Sequence, residues 1–207
     1  MRRQKIFLTC LFLLIVGCIL LRFSKFSGRQ KETHQINAAC EAYRDEVSSE
    51  AAQYDMSDYV DLILAVMMQE SSGQGTDPMQ SSEGAYNTRY PQQPNGITDP
   101  SYSISCGIQE LKYALEKAVC TGPTDLSKIR LALQAYNFGA DSYFAYLEEN
   151  GQTVWTAQSA QAFAQMASGG TQRDEDDPLH DPAGPWDYGD QYYPDHVLRY
   201  YHLDNNS

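Results

Sequence analysis

One carboxylate stands out among the residues able to do chemistry. Glu70 closes an apolar run, Leu62 to Met68, and is followed at once by Ser71, Ser72 and Gly73. In a helix, the residues three, four and seven places before it, Met67, Val66 and Ile63, share its face. The carboxyl is therefore expected against apolar side chains, where its charged form loses hydration and its pKa rises. An acid still protonated near neutral pH can give its proton to the bridging oxygen of a glycosidic bond. The ordinary alternative is a helix-end glutamate turned to solvent or paired with Lys or Arg. Downstream, Gln80, Ser81 and Ser82 offer neutral donors and acceptors suited to N-acetyl and hydroxyl groups. Glu83 is a candidate second carboxylate, with Asp77 behind it. Inverting hydrolysis needs such a pair roughly 6.5–9.5 Å apart with a water between them.

Other groupings carry less. Cys106, at a helix start, with His180 and His196 far downstream permits a thiol peptidase, although a small, partly buried side chain is the plainer reading. His180 beside Asp181 and Asp195 beside His196 are isolated pairs without metal-ligand spacing, so no metal and no cofactor is expected. Cys40, Cys106 and Cys120 are odd in number and show no paired spacing; one bridge or free thiols are both open. Trp155, Trp186 and the tyrosines suit sugar stacking, yet most are expected in the core.

The elements that must position these groups are helical. Ala39, Tyr43, Val47, Ala51 and Tyr54 recur at steps of four and three. Ser57 is the expected N-cap of the next helix, which carries Asp58 and Asp61 in its first turn and ends at Glu70. Being apolar on most sides, this helix is expected at the centre. Residues 72–100, rich in Gly, Pro, Ser, Gln and Asn, read as a long ligand-binding loop. Ile104, Ile108, Leu111, Leu115 and Ala118 form a stripe after Pro100, and Gly107 on the same face predicts a close backbone crossing. Leu126, Ile129, Leu133 and Tyr136 form another stripe, stopped by Gly139. Two shorter helices follow, capped by Asp141 and Thr156 and ended by Gly151 and by Gly169 with Gly170. The Tyr- and Trp-rich tail, residues 183–201, is expected to pack on the helices. No βαβ alternation appears, so the fold class is all-α.

The chain has 207 residues and a formal net charge of −12. Nucleic acid is a poor partner for such a surface, because phosphate binding needs clustered Lys and Arg. Cations gather at the N-terminus: Arg2, Arg3 and Lys5 precede an apolar run from Ile6 to Leu21, and Arg22, Lys25, Arg29 and Lys31 follow it. This is an export signal. The run is a little shorter than the ~20 residues that span a bilayer, but Phe23 and Phe26 with snorkelling arginine extend it. With no small-residue cleavage site, residues 1–37 read as a cytoplasmic tip, an uncleaved single-pass anchor and a linker, with residues 38–207 outside the membrane. Ile15, Val16, Gly17 and Cys18 also look like a lipobox, which would make Cys18 a lipidated terminus; the apolar run continuing through Leu21 favours the anchor.

At this point the sequence resembles a family. Glu70 with Ser71 is similar to the Glu-Ser that opens the active site of goose-type lysozymes and soluble lytic transglycosylases. Met79 and Gln80 match a Met-Gln loop that lines the sugar cleft, and Ser103, Ile104 and Gly107 match an Asn-Ile-x-x-Gly helix. Ala135 to Gly139 resembles an Ala-Tyr-Asn-Ala-Gly box. The blocks keep one order over about residues 57 to 140. With the tail YGDQYYPDHVLRYY included, the likeness extends over nearly the whole exported part, to the lysozyme domain of CwlT-type cell-wall hydrolases of conjugative elements.

The resemblance implies a muramidase that cuts the β-1,4 bond between N-acetylmuramic acid and N-acetylglucosamine. Glu70 is then the acid and Glu83 the second carboxylate. Ser71, Gln80, Ser81, Ser82, Tyr136 and Asn137 are the substrate-binding residues, with Tyr136 and Asn137 crossing near Glu70. Peptidoglycan strands and a conjugation or secretion machine are the implied partners, on the cell-wall side of the membrane. Phe138 departs from the common Ala of the box, which is expected to narrow the cleft. The cysteine-peptidase domain often fused in this group has no counterpart in the sequence, so glycan cleavage alone is expected. Transglycosylation to 1,6-anhydro ends, which needs no second carboxylate, and a non-catalytic peptidoglycan-binding scaffold remain the alternatives.

Overall fold

A computed structural model of the chain describes residues 34–177 and 180–203. Helices follow in the order α1 (Ala38–Glu41), α2 (Arg44–Gln53), a 3-10 turn (Ser57–Tyr59), α3 (Val60–Glu70), α4 (Pro100–Lys117), α5 (Leu126–Phe138), α6 (Ala140–Glu149), α7 (Ala157–Ala167) and α8 (Tyr193–Leu198). Among the described residues the only β-pairing is an isolated bridge between Gln172 and Trp186. The all-α expectation holds. The N-terminal anchor and the lipobox cysteine lie outside the described residues, and among those described no helix is long and apolar enough to cross a membrane.

Helix α3 runs through the centre, as its sequence predicts. Its six consecutive residues Leu62 to Met67 are all buried, so it is enclosed on every side. Fully burying one such side chain contributes about 1.5–3 kcal/mol, against a few tenths per residue for helix propensity, so packing decides the position of α3. Around it, α2 contributes Val47 and Ala51, and α4 contributes Ile104, Ile108, Leu111 and Leu115. Helix α5 packs on α4, α6 and α8, and α8 also touches α3. The tail is docked: Tyr193, Val197 and Tyr201 are buried in the core.

Several local expectations are corrected. The first periodic stretch is two helices, because the chain turns at Ala42 and Tyr43; Arg44 then ties Glu41 to Asp61, with nitrogen–oxygen distances of 2.7 Å to each. Ser57 does not cap α3. It opens the 3-10 turn, and neither Met56 nor Tyr59 makes a side-chain cap bond. Helix α4 begins at Pro100, capped by Asp99, whose carboxylate accepts from Ser101 N at 3.2 Å. Asp141 likewise caps nothing: Gly139, at φ 85°, both ends α5 and leads into α6, while Asp141 accepts from Lys117 Nζ and the Tyr113 phenol at 2.5 Å each. The predicted cap Thr156 does accept a backbone N–H bond, from Ser159, and Asp125, which carries no cap role in the sequence analysis, caps α5 by accepting from Lys128 N. The close crossing at Gly107 is made by the Met79 side chain, since a Cβ there would lie 2.6 Å from Met79 Cβ. Ile36 packs on the core, and Asn37 caps α1 while donating to Ser72 O at 3.0 Å. Cys40, Cys106 and Cys120 are free thiols.

Candidate active site

Residues 71–99 form one wall of the site, and Asp77 organises it. Its carboxylate is 1% exposed. Oδ1 accepts from Ser81 N at 3.1 Å and Ser103 Oγ at 2.6 Å; Oδ2 accepts from Ser82 N at 3.2 Å and Ser82 Oγ at 2.5 Å. A buried charge is tolerable only with such a full set of donors. Ser82 Oγ also accepts from Ile97 N at 2.8 Å, and Ser81 Oγ donates to Ser103 O at 2.9 Å. Met79 is pinned by Ser103 Oγ, 3.1 Å from its N, and by the Tyr136 phenol, 3.0 Å from its carbonyl oxygen.

These bonds correct part of the predicted site. Ser81 and Ser82 are buried, with hydroxyls committed inside the loop, so they build the wall and do not face a substrate. Asp77 is the hub of that wall and not a carboxylate open to the cleft. Ser71 Oγ donates to Pro78 O at 2.8 Å and accepts from Gly73 N at 3.1 Å, closing the base of the loop. Gln80 and Glu83, by contrast, are exposed on the cleft side. Gln80 holds a φ of 49°, uncommon for a residue with a side chain, and donates to Asp77 O at 2.9 Å and Asn95 Oδ1 at 3.1 Å.

Two concavities, of about 610 and 790 Å³, share Glu70, Gln80, Glu83 and Asn137 in their linings. They are two arms of one groove that meet at Glu70. The first arm continues past Tyr86, Glu110, Tyr113 and Phe138. The second continues past Arg173, His180, Asp190, Tyr193 and Arg199.

Glu70 sits half-buried at the junction, on the last residue of α3. Burial pushes its carboxyl up to about 7; the nearby carboxylates of Asp190 and Asp77 push the same way, and the Tyr193 phenol, which donates to Oε1, pulls against them. The position at a helix C-terminus, the negative end of the dipole, also disfavours charge. The environment of the carboxyl thus acts in the direction expected from the sequence, with desolvation the largest cause. The phenols of Tyr136 and Tyr193 are pushed well above their ordinary range by burial, so both remain hydrogen donors. Their rings stack, with centroids 6.3 Å apart.

Tyr193 carries no role in the sequence reading, although it stands in the tail motif. Helix α5 delivers it. Asn137 Oδ1 accepts from Asp190 N at 2.7 Å, Gln134 Nε2 donates to Asp190 O at 2.8 Å, and the Tyr188 phenol donates to Phe138 O at 3.1 Å. Asn137 therefore lines the groove and also fixes the segment that leads into α8. Phe138 is 2% exposed and packs in a ring cluster with Tyr143, Phe163 and Tyr188; it is mainly core, and only its edge lines the first arm.

Glu110 is a second carboxyl absent from the sequence reading. Burial pushes it up to about 7, the backbone amides of Tyr86 and Ala85 favour its charged form, and Asp77 and Glu70 oppose it. Its place three residues after Gly107, on the face turned to the loop, is the signal that could have found it.

The remaining candidates have other employment. Asp195 pairs with Arg130 at 2.6 Å, and His196 Nδ1 lies 2.5 Å from Asp190 Oδ2. Among the described residues no cluster of three or more His, Cys, Asp or Glu could hold a metal. Cys106 is buried in α4 with its thiol raised by burial, the opposite of a reactive thiol, in keeping with the plainer reading of a packed side chain. Trp155 donates from Nε1 to Gln134 Oε1 at 2.9 Å and packs on the core, as does Trp186.

Comparison with known proteins agrees with this geometry. The chain is 35% identical over 169 residues to the bifunctional muramidase/DL-endopeptidase CwlT of Bacillus subtilis, covering 82% of this chain and 44% of that protein. It is 40% identical over 115 residues to the uncharacterized membrane protein YocA of the same organism, covering 54% of this chain and 45% of YocA. A pneumococcal vaccine antigen A homolog of Streptococcus pyogenes is 37% identical over 110 residues, covering 53% of this chain and 50% of that one. The chain thus spans about half the length of these relatives. A crystal structure from Staphylococcus aureus, described as similar to a lipoprotein of the NLP/P60 family, superposes with a TM-score of 0.69 at 27% identity, covering 84% of this chain and 56% of that one. The lysozyme-like family profile matches residues 38–201, which hold both arms of the groove and every helix described above. With a helical core and a half-buried glutamate where the arms meet, the chain belongs to the lysozyme-like family.

Proposed function

We propose that the protein is a muramidase that cuts the β-1,4 bond between N-acetylmuramic acid and N-acetylglucosamine in peptidoglycan. The observation that carries this reading is the Glu70 carboxyl, half-buried where the two arms meet and raised to about 7. A glycan strand lying along both arms brings one glycosidic oxygen to that carboxyl, which protonates it as the leaving group departs. Glu83, exposed in the same lining, is the second carboxylate and activates the water. Gln80, Tyr136 and Asn137 hold the saccharide beside the reacting bond. The similarity to CwlT supports the muramidase assignment.

The context follows the same likeness. Residues 1–37 tether the domain to the membrane as a single-pass anchor, or through lipid at Cys18, with the groove on the cell-wall side. The basic and apolar order of that segment supports this reading. Local wall opening for a conjugation or secretion machine is the proposed task.

One observation favours a second reading. Asp77 is spent on the loop, so of the two acidic candidates in it only Glu83 reaches the groove, and transglycosylation requires neither. Digestion of purified glycan strands, read by mass spectrometry, separates them: reducing muramic ends establish hydrolysis, and 1,6-anhydromuramic ends overturn it. Lysis in a zymogram by wild type and its absence with Glu70→Gln exclude a binding scaffold; equal clearing by both would remove Glu70 from the mechanism.

A further inference from the structure

Glu110, half-buried in the lining of the first arm, is a titratable group that this mechanism does not use. Its Oε1 is sealed from water and makes no hydrogen bond within the protein. Gly84 lies directly against it: a Cβ built on that glycine would stand 1.4 Å from Oε1, 2.3 Å from the carboxyl carbon and 2.7 Å from Oε2. Gly84 does not need its glycine for a left-handed backbone, because its φ is not positive. The space is needed for the carboxyl. The backbone amides of Ala85 and Tyr86, the next two residues, are the groups that favour the charge on Glu110. On the other side of Gly84 stands Glu83, which lines both arms with Glu70.

We infer that Glu110 is a positioning residue: seated under the Gly84 backbone, it holds the turn of residues 83–86 against α4 and thereby fixes Glu83 opposite Glu70. A side chain whose burial leaves an oxygen unpartnered weakens the fold where it stands, so it is retained for what it places. Ser82, one residue before Glu83, is already tied to Asp77, and Glu110 supplies the corresponding anchor after it. With both ends held, the Glu83 backbone has one course across the groove. The inference rests on the proposed glycan-cleaving role only for its kinetic consequence; the anchoring itself is independent of it.

The experiment therefore has two arms, both on the full chain. In the first, native-state hydrogen exchange is followed at the amides of residues 85 and 86. Glu110→Ala is expected to accelerate both by about tenfold or more while the α3 core amides stay unchanged, since local opening alone is affected. Gly84→Ala, which drives a methyl group into the carboxyl from the other side, is expected to do the same, and it keeps the test alive if Glu110→Ala fails to fold. Unchanged exchange at residues 85 and 86 overturns the inference even if the protein cleaves no glycan. In the second arm, a double-mutant cycle pairs Glu110→Ala with Glu83→Gln. Glu110→Ala alone is expected to lower kcat about tenfold with little change in KM, and to add nothing in the Glu83→Gln background, because it acts through Glu83. Independent, multiplicative losses overturn the inference, and full rescue of kcat by a volume-matched Glu110→Leu would assign a packing role instead.

Discussion

The Tyr193 phenol donates its hydrogen to Glu70 Oε1 from 123 residues further along the chain, joining the last residue of α3 to the first of α8. That bond favours the charged carboxylate, and burial opposes it more strongly. Tyr193→Phe removes the opposing influence and leaves the burial. The Glu70 pKa should therefore rise above about 7, moving the alkaline limb of the pH–rate profile upward, while kcat falls about tenfold as the carboxyl loses its orienting partner. A limb that moves to lower pH would contradict the assignment.

Stability should depend on pH in a stated direction. The folded pKa of Glu70, about 7, lies above its ordinary 4.5, so the folded state holds the proton more tightly than the unfolded state. Stability then falls as pH rises from about 4.5 through 7 and is flat beyond. Glu70→Gln keeps an acceptor for the phenol without the charge. It is expected to be neutral below pH 4.5 and to stabilise by about 3 kcal/mol at pH 8, while activity drops about 100-fold or more. Denaturant titrations at the two pH values check this. Glu110, raised in the same sense, adds a slope that the variant retains.

Removing Asp77 should loosen the groove wall without unfolding the bundle. Asp77→Ala strands the backbone N–H groups of Ser81 and Ser82 and the hydroxyls of Ser82 and Ser103. A loss of roughly 3 kcal/mol is expected, with limited proteolysis newly cutting within residues 76–98. Far-ultraviolet circular dichroism should stay helical.

The thiols are not part of the chemistry. Cys40 and Cys106 are fully buried, with the Cys40 thiol pushed up to about 11 by burial, whereas Cys120 is half-exposed. Alkylation of the native protein should label Cys120 ahead of the other two and leave lysis intact. Lysis abolished by modification at Cys106 would revive the peptidase.

The helices were legible because burial leaves a period in the sequence: the apolar α3 and the stripes of α4 and α5 needed no further information. Glu70 was legible for the same reason, since its face is written by Ile63, Val66 and Met67. The loop misled where residue type and environment part company. Ser81 and Ser82 have the chemistry of sugar-binding residues, yet their hydroxyls serve Asp77 and Ser103, and nothing local announces which way a serine turns. Phe138 was expected to narrow the groove, but contacts with Tyr143 and Phe163, on later helices, draw it into the core. Tyr193 and Glu110 depend on tertiary meetings that a chain order does not display. The caps expected at Ser57 and Asp141 failed because a 3-10 turn and a glycine junction entered those helices instead.

The Asp77 hub has a thermodynamic consequence. A segment of this length would ordinarily lose much of its freedom when a saccharide first ordered it. Here four donors converge on one carboxylate, and that loss is incurred during folding. Association with a sugar chain should then proceed without a slow isomerisation step, and with a heat-capacity change no larger than the contacted surface itself requires.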